Sequence, residues 1–133
     1  MPVDLTKAKD DVLKRFNALD YDGLVKVMHP DIVLKRVLHD GSIAGIGNVK
    51  AYLLDYMLPL NPSFDILGEV TFYPKATADQ EKAMRANVSG TGDYHDENGK
   101  QTTRVLFVWT FTRDDFKKDW LLSNAFGAPV PPK

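Results

Sequence analysis

Residues 84–111 read MRANVSGTGDYHDENGKQTTRVLFVWTF, and this stretch decides the fold. Asn98-Gly99 stands between two alternating runs. Both residues tolerate the positive φ of a type I′ turn, so the pair predicts a β-hairpin and fixes its register. That register sets Met84, Ala86, Val88, Gly90 and Gly92 on one face with Phe111, Trp109, Phe107 and Val105. On the other face Asp93 meets Arg104, and Asn87 meets Thr110. The first face is apolar and the second mostly polar, which predicts burial of the first.

Working outward, Phe64, Ile66, Gly68, Val70 and Phe72 alternate as a strand, with Gly68 marking a bulge or bend. Residues 74–82 read as a polar loop. Beyond the hairpin, a connection from Asp114 to Lys118 leads into a last strand, Trp120 to Phe126. Regular pairing would add Trp120, Leu122, Asn124 and Phe126 to the apolar face. The proline-rich end, 129–133, reads as a tail.

Upstream the period changes to helical. Leu5, Ala8, Val12, Leu13, Phe16 and Leu19 predict an amphipathic helix over 4–19, capped by Asp4 or Thr6. A short helix over about 21–28 stops before His29-Pro30. Ile32 to Leu38 reads as a strand, and His39-Asp40-Gly41-Ser42 as a turn. Gly47-Asn48 opens a third helix that runs to about Leu58. It is apolar nearly all round, which predicts deep burial. Pro59 and Pro62 end it.

The length of 133 residues suits one domain, 1–133. Seventeen basic residues face 18 acidic ones, so there is no excess charge to neutralise phosphates and no nucleic-acid role is expected. No apolar run is long enough to span a bilayer, so no membrane association is expected. Met1-Pro2-Val3-Asp4 shows no secretory pattern, and cysteine is absent. Both fit a cytoplasmic protein. His29, His39 and His95 are far apart without ligand spacing, so no metal site is expected. Gly45-Ile46-Gly47 lacks the third glycine of a phosphate loop, and no cofactor is expected.

Helices first and paired strands after them predict an α+β fold: a strongly curved antiparallel sheet wrapped around N-terminal helices as a cone. The open mouth of a cone is a natural small-molecule pocket. This order, with Ile43-Ala44-Gly45 and then Val49 leading into the third helix, resembles the nuclear transport factor 2-like superfamily. Its fold is cystatin-like, and its members include ketosteroid isomerase, SnoaL-type cyclases, scytalone dehydratase and scaffold proteins without catalysis. The resemblance implies a fold and leaves function open.

Ketosteroid isomerase can be tested residue by residue. Its chemistry uses a carboxylate base, and a Tyr with a protonated Asp as oxyanion hole, a worked example of pKa tuning. Ungapped matching puts those positions near Arg36, Phe16 and Phe107. None keeps its chemistry, and the inward face of the hairpin offers no acid. The resemblance therefore argues against that activity. A gap before Ile43 would bring Asp40 toward the base position.

Arg36 shares a face with Ile32, Leu34 and Leu38. An inward Arg36 would need a partner, from a ligand carboxylate or enolate or from an internal acid such as Asp40. Asn124 is the one polar residue expected on the inward face of the last strand, as a ligand contact or a core amide. Tyr52 and Tyr56 lie one helical turn apart and can aim at one site, or simply pack. Phe16, Phe107 and Trp109 would be walls, and Asp40 or His39 the nearby bases. Thr91, Leu106, Ser89, Val108, Asn87 and Thr110 make an outer face that suits a homodimer contact. Two functions follow. One is a small-molecule-binding domain with an apolar pocket for a hydrophobic molecule, whose enzymatic form would do isomerase, dehydratase or cyclase chemistry. The other is a non-catalytic protein-binding or assembly module.

Overall fold

The computed structural model describes residues 4–35, 41–96, 100–115 and 117–130. Helix α1 (Leu5–Asn17) starts at Asp4, whose side chain accepts the Lys7 N–H at 2.8 Å. Asp4 rather than Thr6 therefore caps it. Its Leu5, Ala8 and Val12 are buried, and Leu13 and Phe16 are partly so, as the spacing predicts. Helix α2 (Tyr21–Val25) is shorter than expected, because strand β1 (Met28–Lys35) begins early. His29 and Pro30 lie in that strand, not at a helix end. The cause is non-local: Met28 pairs with Leu122, and the Leu122 N–H donates to the Val27 carbonyl at 2.9 Å.

A short strand β2 (Ser42–Ala44), not evident from the sequence, pairs antiparallel with β1. Helix α3 (Ile46–Tyr52) passes into a π-helical turn at Leu53–Met57 and a 3₁₀ turn at Leu58–Leu60, which ends at Asn61 with φ 50°. The expectation of deep burial is corrected here. Val49, Leu53 and Met57 are buried, but Leu54, Tyr56 and Leu58 are 37%, 45% and 39% exposed. The segment packs through one stripe and leaves its other apolar face uncovered.

Strand β3 (Pro62–Tyr73) follows, then a short helix α4 (Thr77–Lys82) in the stretch read as loop. Strands β4 (Arg85–Asp96), β5 (Gln101–Thr112) and β6 (Leu121–Pro129) complete the sheet. The strand order is β2-β1-β6-β5-β4-β3. Every pair is antiparallel except β1 with β6, which is parallel. The fold is α+β, with a curved, mixed, unclosed sheet rather than an all-antiparallel one.

The Asn98-Gly99 pair itself lies outside the described residues. The strands on either side keep the register it predicts, from Asp96 opposite Gln101 to Arg85 opposite Thr112. Ala86, Val88, Val105, Phe107 and Phe111 are buried on the inner face. Curvature comes from irregularities on the flanking strands, because extra residues bend a strand and increase its twist. Gly68 adopts φ 67°, and the β3 register shifts between Leu67 and Thr71. A two-residue insertion restores the alternation, so Phe64 and Phe72 still share the inner face with Tyr94 and Val88.

On β6 the insertion is odd. Phe111 pairs with Leu122, but Thr110 pairs with Asn124. Ser123 is the extra residue, and its hydroxyl donates to the Thr110 carbonyl at 3.2 Å. A one-residue slip exchanges the two faces of a strand. Asn124 and Phe126 therefore fall in register with Thr110 and Val108 on the outer face, while Ala125 and Gly127 face inward with Trp109 and Phe107. The sheet also takes up the start of the expected tail: Pro129 pairs with Val105, and the Val130 N–H donates to the Arg104 carbonyl at 2.8 Å.

Arg113 is buried just past β5 and donates to the carbonyls of Gln80, Glu81 and Ala83 at 2.9–3.0 Å. Its guanidinium lies 4.1 Å from the centre of the Trp120 ring. Arg113 thus satisfies the orphan carbonyls at the end of α4.

Candidate functional site

A cavity of about 490 Å³ lies between α1, the α3 segment and the inner face of the sheet. Phe16 borders it from α1, Tyr52 and Tyr56 from the α3 segment, and Phe64, Phe107 and Trp109 from the sheet. The three sheet aromatics form one cluster. Phe64 meets Phe107 edge-on at 5.6 Å, Phe107 and Trp109 are 4.9 Å apart, and Phe64 and Trp109 are 6.1 Å apart. Such contacts hold ring positions better than area burial alone. The rings can pack this close to β4 because Gly90 and Gly92 lie beneath them.

The polar side chains come from the α3 segment and β4, with Lys35 of β1 also bordering the space. Tyr52 and Tyr56 stack with centroids 5.3 Å apart. The π-helical turn follows directly after Tyr52, and such turns often mark functional sites. From β4 come Tyr94 and Asp96, which are 5% and 6% exposed and both border the cavity. The Tyr94 hydroxyl contacts Met57 Sδ at 3.9 Å. Burial, and then the nearby Asp96 carboxylate, push the Tyr94 phenol well above its ordinary value, with smaller contributions from Tyr52, Tyr21 and Tyr56. At neutral pH it is a proton donor. The deeply buried Tyr21, beside Phe16 at 6.1 Å, is pushed up to about 12 by burial and by Tyr52, and its hydroxyl has no hydrogen-bond partner among the described residues.

The structure therefore brings together Phe16, Tyr56, Phe107 and Trp109 of the residues expected at the pocket. It removes Asn124, which stands opposite Thr110 on the outer face because of the Ser123 bulge. Arg36, His39 and Asp40 lie outside the described residues. The expectation that the hairpin offers no inward acid is overturned by Asp96. Carrying the alternation of Met84 to Gly92 two steps further reaches Tyr94 and Asp96, so the signal was present in the sequence.

Other polar clusters lie away from the cavity. His95 is not simply solvated at a hairpin tip. Its ring bridges Asp65 Oδ2 at 3.2 Å and Thr102 Oγ1 at 3.1 Å. Arg104 pairs with Asp93 at 2.6 Å on the same outer face. Among the described residues, no group of three or more His, Cys, Asp or Glu is placed to hold a metal ion.

No protein-family model and no curated protein matches this sequence. Solved structures do match. A candidate dehydratase of the nuclear transport factor 2-like family from Streptomyces avermitilis superposes with a TM-score of 0.74 at 16% identity, over 96% of this chain and 94% of that one. The chain has the nuclear transport factor 2-like fold. A ketosteroid isomerase-like protein from Erwinia carotovora atroseptica has a TM-score of 0.65 at 16% identity, covering 96% of this chain and 95% of that one. A candidate calcium/calmodulin-dependent protein kinase II association domain from Xanthomonas campestris reaches 0.69 at 17% identity, over 92% and 82%. Identities this low speak for the nuclear transport factor 2-like cone alone and not for an activity. No helix among the described residues is long and apolar enough to cross a membrane.

Proposed function

We propose that the chain binds a small, largely apolar molecule in this cavity, with Asp96 and the tyrosines orienting it. The carrying observation is a 6% exposed carboxylate at the edge of an aromatic-lined space of about 490 Å³. Cavities of this size with a few convergent polar groups are the usual form of ligand sites. In its enzymatic form the same site would transfer a proton, with Asp96 as acid or base and Tyr94 as donor, in isomerase, dehydratase or cyclase chemistry. The likeness in fold to a candidate dehydratase and a ketosteroid isomerase-like protein supports this by analogy. The absence of cysteine supports a cytosolic setting. The test is titration with the neutral dye N-phenyl-1-naphthylamine. Saturable fluorescence enhancement that is lost in a folded Ala125→Phe variant supports the reading. No saturable binding overturns it.

A second reading concerns the outer face of the sheet, as the contact of a homodimer or of an assembly module. Leu106 is 54% exposed, and Val108 and Phe126, directly paired, are 36% and 40% exposed. Exposed apolar residues gathered on one sheet face mark interaction sites. The likeness to a candidate association domain supports the assembly version. Sedimentation at micromolar concentration should show a dimer that Leu106→Lys dissociates. A monomer throughout would count against it.

A further inference from the structure

We propose that the Tyr94 hydroxyl recognises an uncharged hydrogen-bond acceptor, a carbonyl oxygen at one end of an elongated apolar molecule. This rests on the cavity reading above and names its ligand class. Tyr94 is 5% exposed and borders the cavity. Among the described residues the acceptor its hydroxyl meets is Met57 Sδ, at 3.9 Å. A thioether sulfur is a weak acceptor. A buried donor without a good acceptor is costly, and packing alone would be served as well by phenylalanine. What the Tyr94 hydroxyl lacks is therefore an acceptor. A ligand that displaces water from this space has to supply one or leave the donor unmatched. The phenol keeps its proton to give, because burial holds it well above its ordinary value.

The backbone register says where the rest of the ligand lies. Tyr94 pairs directly with Phe64. The Phe64 ring covers Gly92, the next inward residue of β4, and meets Phe107 edge-on at 5.6 Å. Phe107 in turn pairs with Gly90. The apolar cluster thus begins one inward position from Tyr94 and runs away from it. An acceptor placed at Tyr94 sits at the end of the ligand, with the apolar body along Phe64 and Phe107. A charged acceptor would lose its hydration in a space lined mostly by apolar and aromatic side chains, with one phenol in return. The Lys35 ammonium, the one cation bordering this space among the described residues, is already engaged over the Phe126 ring at 5.5 Å.

The test uses three probes of similar shape, 2-acetylnaphthalene, 2-isopropylnaphthalene and 2-naphthoate, each displacing N-phenyl-1-naphthylamine at neutral pH. Tyr94→Phe keeps the ring and removes only the hydroxyl. It should weaken the ketone about tenfold and leave the hydrocarbon within about twofold. The naphthoate should bind most weakly to the unaltered protein. Infrared spectra of carbonyl-labelled 2-acetylnaphthalene give a second measure. The bound C=O band of the unaltered protein should lie below its position in hexane, and Tyr94→Phe should abolish that shift. An equal change for ketone and hydrocarbon, an unshifted carbonyl band, or a preference for the naphthoate overturns the acceptor assignment and leaves the cavity reading standing. Failure of all three probes to bind overturns both. The carbonyl band of the unaltered protein decides the matter even where Tyr94→Phe does not fold.

Discussion

Phe64 lies across β4 in the space that Gly92 leaves open. A Cβ on Gly92 would overlap the edge of that ring and would sit 2.8 Å from the Asp65 carbonyl oxygen. The ring can turn, but the carbonyl belongs to the paired β3 strand and cannot retreat. Gly92→Ala should therefore destabilise the fold by about 1–3 kcal/mol. Gly47, in α3 with nothing near its missing Cβ, should respond in the opposite direction, with Ala gaining about 0.5–1 kcal/mol. Denaturant midpoints of the two variants check the pair, and a loss at both positions would contradict the packing argument.

Asn17 acts as a strand neighbour for β3. Its side chain accepts the Phe64 N–H at 2.8 Å and donates to the Phe64 carbonyl at 2.9 Å. This ties the end of α1 to the start of the aromatic cluster. Asn17→Ala leaves both backbone groups without that partner and should cost about 1–3 kcal/mol. Asn17→Asp keeps an acceptor but no donor, so thermal unfolding should place it well below wild type.

Arg113 holds three carbonyls of the α4 end and stacks on Trp120. Burial lowers the guanidinium from its ordinary value, opposed by Asp115. Bonds to a charged donor are worth about 1.5–3 kcal/mol each, though not additively. Arg113→Ala should cost about 2–4 kcal/mol. Arg113→Lys should recover little of this, because an ammonium lacks the planar fork. Hydrogen exchange of residues 77–83 would report the loosening of α4, and unchanged protection would refute the role.

Tyr21 and Tyr94 hold their protons more tightly folded than unfolded. The folded chain then binds more protons than the unfolded one above the ordinary phenol value, so stability falls as pH rises. The contribution is complete below about pH 10 and, for Tyr21, is lost as pH rises toward about 12. Ultraviolet titration should show two of the five tyrosines ionising only with unfolding. Tyr21→Phe should reduce the alkaline loss and be neutral or stabilising near neutrality, since it also removes a buried hydroxyl that has no partner among the described residues.

The hairpin register was legible because turn chemistry and alternation are local and reinforce each other. The Asp4 cap and the Gly68 irregularity were legible for the same reason. The early start of β1 was not, because it depends on parallel pairing of Met28 with Leu122, far along the chain. Nor was the place of Asn124. A single extra residue at Ser123 turns β6 over, and Leu-Leu-Ser-Asn carries no glycine or proline to announce it. Asp96 was legible in principle as the last step of an alternation, but it reads as part of a polar hairpin end until its burial is known.

By itself, then, the sequence determined the β4–β5 pairing and the inward course of Ala86, Val88, Phe107 and Phe111, since a period of two and a tight turn allow one register. Only the tertiary structure decided that Asp96 is buried at the border of the cavity, that Asn124 leaves it, and that the α3 segment keeps one apolar face outside. Those outcomes depend on which distant segments cover a residue and on where a strand slips, and neither is written in the local pattern.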